Sequence, residues 1–154
     1  MTVEPVPTAY SRLSPYLAVA GADDAMTFYC DVLGFERRGD VMRSPDGRVG
    51  HAELVLGDSV LMIADEWPEA GNIGPLAVGG SPVLLHIYVP DVDGVHAAAV
   101  AKGATVVREP TDEFYGDRLA VFTDPWGHRW SVATHIEDVS PEEMGRRAAE
   151  AMGG

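Results

Sequence analysis

The chain has 154 residues, 46% of them hydrophobic, which is the size of one ordinary domain with enough apolar surface for a core. Its 11 Lys and Arg against 24 Asp and Glu give a formal net charge of −13, so nucleic acid and anionic membranes are not expected partners. The chain lacks both a signal-peptide pattern and a run of about 18 apolar residues, and it has one cysteine, so we expect a cytoplasmic protein without disulfides.

The first half of the chain predicts one βαβββ unit, module 1, over about residues 12–66. A strand over 14–19 precedes a helix that Gly34 ends. The helix is indicated by apolar residues at i, i+3, i+4 and i+7, which are Met26, Tyr29, Cys30 and Leu33. The strands that follow cover 35–42, 49–56 and 59–65. Gly57-Asp58, between the last two strands, is a signal for a two-residue hairpin.

The second half repeats this order as module 2, over about residues 83–137. A strand over 83–89 leads to a helix from Val92 that stops at Gly103. The later strands cover 105–108, 118–123 and 129–134.

Two further segments complete the chain. Residues 67–82 are rich in Gly and Pro and predict a linker, which is mobile or lies over a cleft as a lid. Ser140 and Glu143 form a capping box with Pro141 at the first helical position, which predicts a C-terminal helix over about 140–152.

The ordered set of motifs resembles the vicinal oxygen chelate superfamily of glyoxalases, bleomycin resistance proteins and dioxygenases, and within it the PhnB-like branch. The motifs that carry the resemblance are Tyr16-Leu17-Ala18-Val19, Leu33-Gly34-Phe35, His86-Ile87-Tyr88-Val89-Pro90-Asp91 and Asp124-Pro125-Trp126-Gly127. The resemblance implies an α+β fold in which two tandem βαβββ modules form a cupped mixed sheet around a cavity. It also implies a homodimer, because members of the family commonly pair.

The positions at which metal-dependent relatives carry their ligands are occupied here by other residue types. Mapped through the matching motifs, these positions are Ser14, Met62, Leu84 and Ser131. None is a competent ligand for a transition metal, which prefers imidazole, carboxylate or thiolate. We therefore expect no metal and no other cofactor, and the departure argues against glyoxalase I.

Strand alternation predicts which side chains share the cavity, because residues two apart point the same way. The Gly57-Asp58 hairpin places Glu53 opposite Met62. The predicted ligand-binding residues are Tyr16, His51, Glu53, Met62, Trp67, His86, Tyr88, Arg118, Phe122 and Ser131. Glu53 and His86 are the catalytic candidates, although Glu53 could equally be a counter-ion or the partner of Arg118 in a buried pair, and His86 a hydrogen-bonded core histidine.

The leading hypothesis is a metal-free protein that sequesters a small aromatic or cationic ligand without catalysis. One alternative is a lyase or isomerase that uses Glu53 or a histidine as acid or base. A second alternative is a lyase, isomerase or dioxygenase with relocated metal ligands at His51, Glu53 and His86. A third is a scaffold whose pocket is filled by Tyr16, Tyr88 and Phe122. Fold alone does not choose among them.

Overall fold

A computed structural model describes residues 2–153 and divides the chain into two compact units, with Gly80 ending unit 1 and Ser81 beginning unit 2. The main elements of unit 1 are β1 (Tyr16–Val19), α1 (Ala22–Leu33), β2 (Glu36–Arg43), β3 (Val49–Leu56), β4 (Ser59–Asp65) and the short α2 (Pro75–Val78). Those of unit 2 are β5 (Leu84–Tyr88), α3 (Val92–Ala101), β6 (Thr105–Asp112), β7 (Asp117–Thr123), β8 (Arg129–His135) and α4 (Pro141–Gly153). The predicted α+β class and the two βαβββ modules are confirmed.

Each unit builds its own four-stranded mixed sheet with the same topology. The strand order is β1-β4-β3-β2 in unit 1 and β5-β8-β7-β6 in unit 2. The first strand of each unit runs parallel to the last, and the other pairs are antiparallel. The Gly57-Asp58 hairpin is confirmed, because Leu56 pairs with Ser59 and Glu53 with Met62.

One face of each sheet packs against a helix and forms the core of its unit. In unit 1, the buried side chains of α1 and the sheet include Val19, Met26, Tyr29, Leu54 and Ile63. In unit 2, those of α3 and its sheet include Val92, Ala99, Phe122, Trp130 and Val132. Complete burial of such a side chain stabilises a fold by about 1.5–3 kcal/mol. The opposite face of each sheet, here called its open face, is free to carry polar side chains.

Gly34 ends α1, as predicted. It adopts a left-handed conformation with φ of 83°, and its N–H donates to the carbonyl of Tyr29. Strand β6 extends beyond its predicted end at Arg108 and runs through Pro110. It can accommodate this proline because it is an edge strand whose register shifts on both sides of Arg108.

The segment predicted as a linker is largely folded. Residues 67–80 belong to unit 1, where Pro68–Ala70 forms a 3-10 turn and the N–H of Gly74 donates to Glu66 Oε1 at 2.8 Å. The role of this segment as a lid stays a prediction. No helix in the described part of the chain is both long and apolar enough to span a membrane.

Candidate functional site

A chain of hydrogen bonds crosses the open face of the unit 1 sheet. The hydroxyl of Tyr16 lies 2.8 Å from His51 Nδ1, and His51 Nε2 lies 3.0 Å from Glu53 Oε2. A carboxylate can only accept, so Nε2 of His51 donates to Glu53, and in the tautomer with its proton on Nε2 the Nδ1 atom accepts from Tyr16. Strands β1 and β3 thus align a phenol, an imidazole and a carboxylate.

Two further residues reach the same carboxylate. The hydroxyl of Tyr10, from the segment that precedes β1, donates to both Glu53 oxygens at 3.1 and 3.0 Å. Arg38 Nε, on β2, lies 3.6 Å from Glu53 Oε1, and its guanidinium carbon stands 4.3 Å from the centroid of the Tyr10 ring. We call Tyr10, Tyr16, Arg38, His51 and Glu53 together the Glu53 network.

The surroundings of Glu53 keep it ionised although its side chain is only 12% exposed. The hydrogen bond from His51, followed by that from Tyr10, lowers the pKa of Glu53 despite its partial burial. The pKa of Tyr16 is raised by burial and by the Glu53 charge, and that of Tyr10 is raised chiefly by its hydrogen bond to Glu53. Both phenols therefore serve as neutral donors and not as phenolate nucleophiles.

An open pocket of about 400 Å³ lies beside the network in unit 1. Its lining consists of Pro7, Tyr10, Ser11, Arg12, Ser14 and Met62. The hydroxyl of Ser14 is engaged with that of Ser11 at 2.8 Å. Ring, thioether, hydroxyl and guanidinium groups therefore all line this pocket.

The open face of unit 2 carries a second polar group. His86 Nδ1 lies 2.9 Å from the Ser131 hydroxyl, and the Tyr88 ring stands edge-on to His86 with centroids 5.0 Å apart. The hydroxyl of Tyr88 donates to Asp117 at 2.8 Å, and His135 Nδ1 lies 2.8 Å from the same carboxylate. Asp117 is only 4% exposed. Burial raises its pKa, but the hydrogen bonds from His135 and Tyr88 outweigh burial, so the pKa of Asp117 is lowered.

The predicted positions of Arg118 and Phe122 on the open face are wrong. Arg118 pairs with Asp93 of α3 and with Asp112, and Phe122 is fully buried on the helix side. The reason is the loop between β7 and β8. Asp124 pairs with His128, so three residues lie between the last paired residues and Ser131 faces Val121, whereas a two-residue loop would have set it against Ala120. A shift of one residue turns every side chain of a strand to the other face.

The suggested buried pair of Glu53 with Arg118 is therefore also wrong, because the arginine beside Glu53 is Arg38. Trp67 contacts Arg48, whose guanidinium carbon lies 3.7 Å from its ring, and it forms a bridge with Asn72. The structure does bring four predicted residues together on the open face of the unit 1 sheet, namely Tyr16, His51, Glu53 and Met62. It brings His86, Tyr88 and Ser131 together on the open face of the unit 2 sheet.

Sequence reasoning missed Tyr10, Arg38, Asp117 and His135. Arg38 and Glu53 are directly paired across β2 and β3, so an opposite-charge pair between neighbouring strands was the available signal. The same reasoning applied to the correct β7–β8 register finds Asp117 opposite His135. Tyr10 precedes every regular element, and no periodicity marks it.

The residues present do not fit the metal site of the metal-dependent relatives. Ser14 and Ser131 are engaged with Ser11 and His86, and Met62 and Leu84 offer no hard donor. Among residues 2–153, no group of three or more His, Cys, Asp or Glu could hold a metal ion.

Comparison with known proteins agrees with this architecture. The family model of the Glyoxalase/Bleomycin resistance protein/Dioxygenase superfamily matches residues 11–132. The uncharacterized protein Mb0911c of Mycobacterium bovis is 36% identical over 135 residues, which are 86% of this chain and 88% of that protein. The chain belongs to the Glyoxalase/Bleomycin resistance protein/Dioxygenase superfamily, and the predicted resemblance is confirmed.

Solved structures share the fold at lower identity. A PhnB protein from Bacillus cereus is 16% identical with a TM-score of 0.64, covering 80% of this chain and 99% of that one. TnmS3, an antibiotic binding protein from Streptomyces sp. CB03234, is 22% identical with a TM-score of 0.59, covering 84% of this chain and 99% of that one. At these identities the likeness concerns the fold alone.

Proposed function

We propose that the protein binds and sequesters a small aromatic or cationic molecule at the open face of the unit 1 sheet, without altering its bonds. The observation that carries the proposal is Glu53, an ionised carboxylate that is largely shielded from water yet lies on the open face beside aromatic rings. A shielded charge with aromatic neighbours binds polar aromatic molecules strongly, because water competes less there. The use of this fold by TnmS3 for antibiotic binding supports capture as a function, but not any particular ligand.

The electrostatics of the network favour binding over catalysis. Both phenols have raised pKa values, and the Glu53 pKa is lowered, so neither an activated nucleophile nor a strong base is present near neutral pH. The network can instead donate and accept hydrogen bonds in a fixed geometry, which suits recognition.

The test is a set of titrations followed by NMR and calorimetry with benzylamine, p-cresol and cyclohexylmethylamine. At least one of the three probes should bind saturably at one equivalent per chain and be recovered unchanged. Glu53→Gln should weaken that binding about tenfold or more, because a hydrogen bond to a charged group contributes about 1.5–3 kcal/mol. Glu109→Gln, a change at an exposed carboxylate of unit 2, is the matched control and should leave affinity unchanged. The proposal fails if none of the three probes perturbs the resonances of His51 and Met62.

A metal-free enzyme is the second candidate, and one observation favours it. Glu53, His51 and Tyr16 form a carboxylate, imidazole and phenol in series, an arrangement that can move a proton between a bound molecule and the imidazole. Conversion of a bound probe beyond one turnover per chain, lost in His51→Gln, would support this candidate over sequestration.

A further inference from the structure

Tyr10 reaches the Glu53 network from a segment that is only lightly attached to unit 1. Residues 2–15 contain no helix or strand, and none of them is buried. Besides the bonds of Tyr10 to Glu53, the contacts described between this segment and the sheet include the bond from the N–H of Val60 to the hydroxyl of Ser11, at 3.3 Å, and that from the N–H of Met62 to the carbonyl of Pro15, at 2.9 Å. Val3 and Leu13 are each more than 80% exposed. A segment held by so few contacts opens easily from the rest of a fold.

The contacts of the Tyr10 side chain are those that a free phenol would make. Its hydroxyl donates to both oxygens of a carboxylate, and its ring lies against a guanidinium group. The carboxylate selects a hydrogen-bond donor, and the guanidinium selects the face of an aromatic ring. Yet Tyr10 itself remains 36% exposed, so these contacts are not the by-product of core packing.

Arg38 decides between the two ligand classes that the proposed function leaves open. Its charge lies 3.6 Å from the carboxylate and would repel a ligand cation seated on Glu53. A neutral aromatic hydroxyl meets no such repulsion, and it gains the contact with the guanidinium face. The pair of Glu53 and Arg38 therefore favours a phenol over an amine.

We infer that Tyr10 is an internal ligand of the Glu53 network, and that the external ligand is an aromatic molecule with a phenolic hydroxyl, which displaces Tyr10 and releases the N-terminal segment. The inference rests on the proposed function and names the ligand class of the same site. An internal competitor lowers the apparent affinity of an external ligand in proportion to the fraction of time that the site is open. Removal of the Tyr10 ring should therefore strengthen phenol binding.

The experiment measures the affinity of p-cresol for the full chain, with toluene as the probe that lacks the hydroxyl. Tyr10→Ala should bind p-cresol about tenfold more tightly than the wild type, which corresponds to a site that is open about a tenth of the time. Leu13→Ala, a truncation at an exposed position of the same segment, is the matched control and should bind as the wild type does. Toluene should bind none of the variants measurably.

A second measurement follows the segment itself. The heteronuclear NOE of residues 3–14 should fall when p-cresol saturates the wild type, because the segment is released on the picosecond to nanosecond timescale. In the Tyr10→Ala background, Glu53→Gln should remove the gain in affinity. Since Tyr10 contributes nothing to the core, Tyr10→Ala should keep the amide dispersion of the folded protein.

The outcomes separate the inference from the function on which it rests. Equal p-cresol affinity of the wild type and Tyr10→Ala, or an unchanged NOE at saturation, would overturn the internal-ligand inference. Benzylamine binding that depends on Glu53, without p-cresol binding, would overturn the inference and leave the proposed function in place. Absence of binding by every probe, cyclohexylmethylamine included, in every variant would overturn both the inference and the proposed function.

Discussion

Asp65 and Thr134 occupy equivalent places in the two units, each at the end of the last strand, and each caps the helix of its unit from outside that helix. Asp65 Oδ1 accepts from the N–H groups of Gly21 and Ala22, and Oδ2 accepts from that of Val49. Thr134 Oγ1 accepts from the N–H of Val92 and donates to the carbonyl of Val89. The Gly21 cap position has no side chain, so α1 depends on this distant carboxylate for its N-terminal hydrogen bonds.

Asp65→Ala should destabilise unit 1 by about 2–4 kcal/mol, because three backbone donors lose a charged acceptor. Urea denaturation followed by circular dichroism measures the change as a lower midpoint. Thr134→Val, which removes the cap bond from Val92 and the bond to the Val89 carbonyl while keeping the shape of the side chain, should cost about 1–2 kcal/mol. Equal effects of the two substitutions would contradict the capping role of the Asp65 carboxylate.

The hydrogen bonds of His135 predict that stability depends on pH above the ordinary histidine pKa of 6.5. Its hydrogen bonds to Asp138 and then to Asp117 raise its pKa above the ordinary value of 6.5. A group whose pKa is higher in the folded state stabilises the fold fully below its unfolded pKa, and that contribution is lost as pH rises through the folded pKa. The free energy of unfolding should therefore fall as pH rises from about 6.5 through the folded pKa of His135.

The substitution His135→Gln isolates this contribution. It should flatten the stability profile in that pH window. Urea midpoints between pH 6 and pH 9 are the measurement, and NMR titration of the His135 ring checks the pKa directly. An unchanged slope in His135→Gln would assign the pH dependence to another group.

At the scale of elements, the loop between the last two strands of each unit explains which open-face residues could be predicted in unit 1 and which were placed wrongly in unit 2. Gly57-Asp58 is a strong two-residue hairpin signal, so the register of β3 and β4, and with it the meeting of Glu53 and Met62, could be predicted. The turn that begins at Asp124 is compatible with a loop of either an odd or an even number of residues. Strand β7 is apolar on both faces. Alternation therefore gave no sign of which face Arg118 takes.

A close backbone approach at Gly116 holds the start of β7 to the segment after β8. The N–H groups of Ile136 and Glu137 both donate to its carbonyl oxygen, and its φ is +98°. A Cβ there would overlap the carbonyl oxygen of Glu137. Gly116→Ala should therefore cost about 2–5 kcal/mol, from the left-handed conformation and the overlap together.

The matched control is Gly47→Ala, because Gly47 has a φ of +89° and open space around the added carbon. It should cost only about 1–2 kcal/mol, the contribution of the conformation alone. Thermal unfolding of both variants compares the two costs. If the two melting temperatures fell by the same amount, the overlap with Glu137 would carry no weight.

At the scale of the whole molecule, we propose a homodimer. Aromatic and apolar side chains on the open faces remain largely uncovered in the single chain, including Tyr16, Leu84 and Tyr88, each 45% exposed or more. A second copy would remove this surface from water. Sedimentation should give twice the chain mass of 16.5 kDa. Leu84→Glu should lower that mass at micromolar concentration, while Met152→Glu at the exposed end of α4 should not.

The fold could be predicted from the sequence more fully than the site, because the two depend on interactions between residues at different distances along the chain. Helix and strand positions follow from local periodicity and from stop signals such as Gly34, so both modules could be predicted from the sequence. The Glu53 network joins residues that are 43 and 35 positions apart in its Tyr10–Glu53 and Tyr16–His51 bonds. No local pattern records a partner at that distance, least of all for Tyr10, which lies outside the repeated units.

The external caps of α1 and α3 have a consequence for the order of folding events while the chain is being synthesised. The acceptor of the Ala22 N–H, Asp65, lies 43 residues later in the chain, and that of the Val92 N–H, Thr134, lies 42 residues later. At about 5–20 residues per second, the ribosome needs roughly 2–9 s to supply each cap. A helix as short as these is marginal alone. Each half of the nascent chain should therefore acquire its protease resistance abruptly, when the final strand of that half emerges, and not in step with its helix.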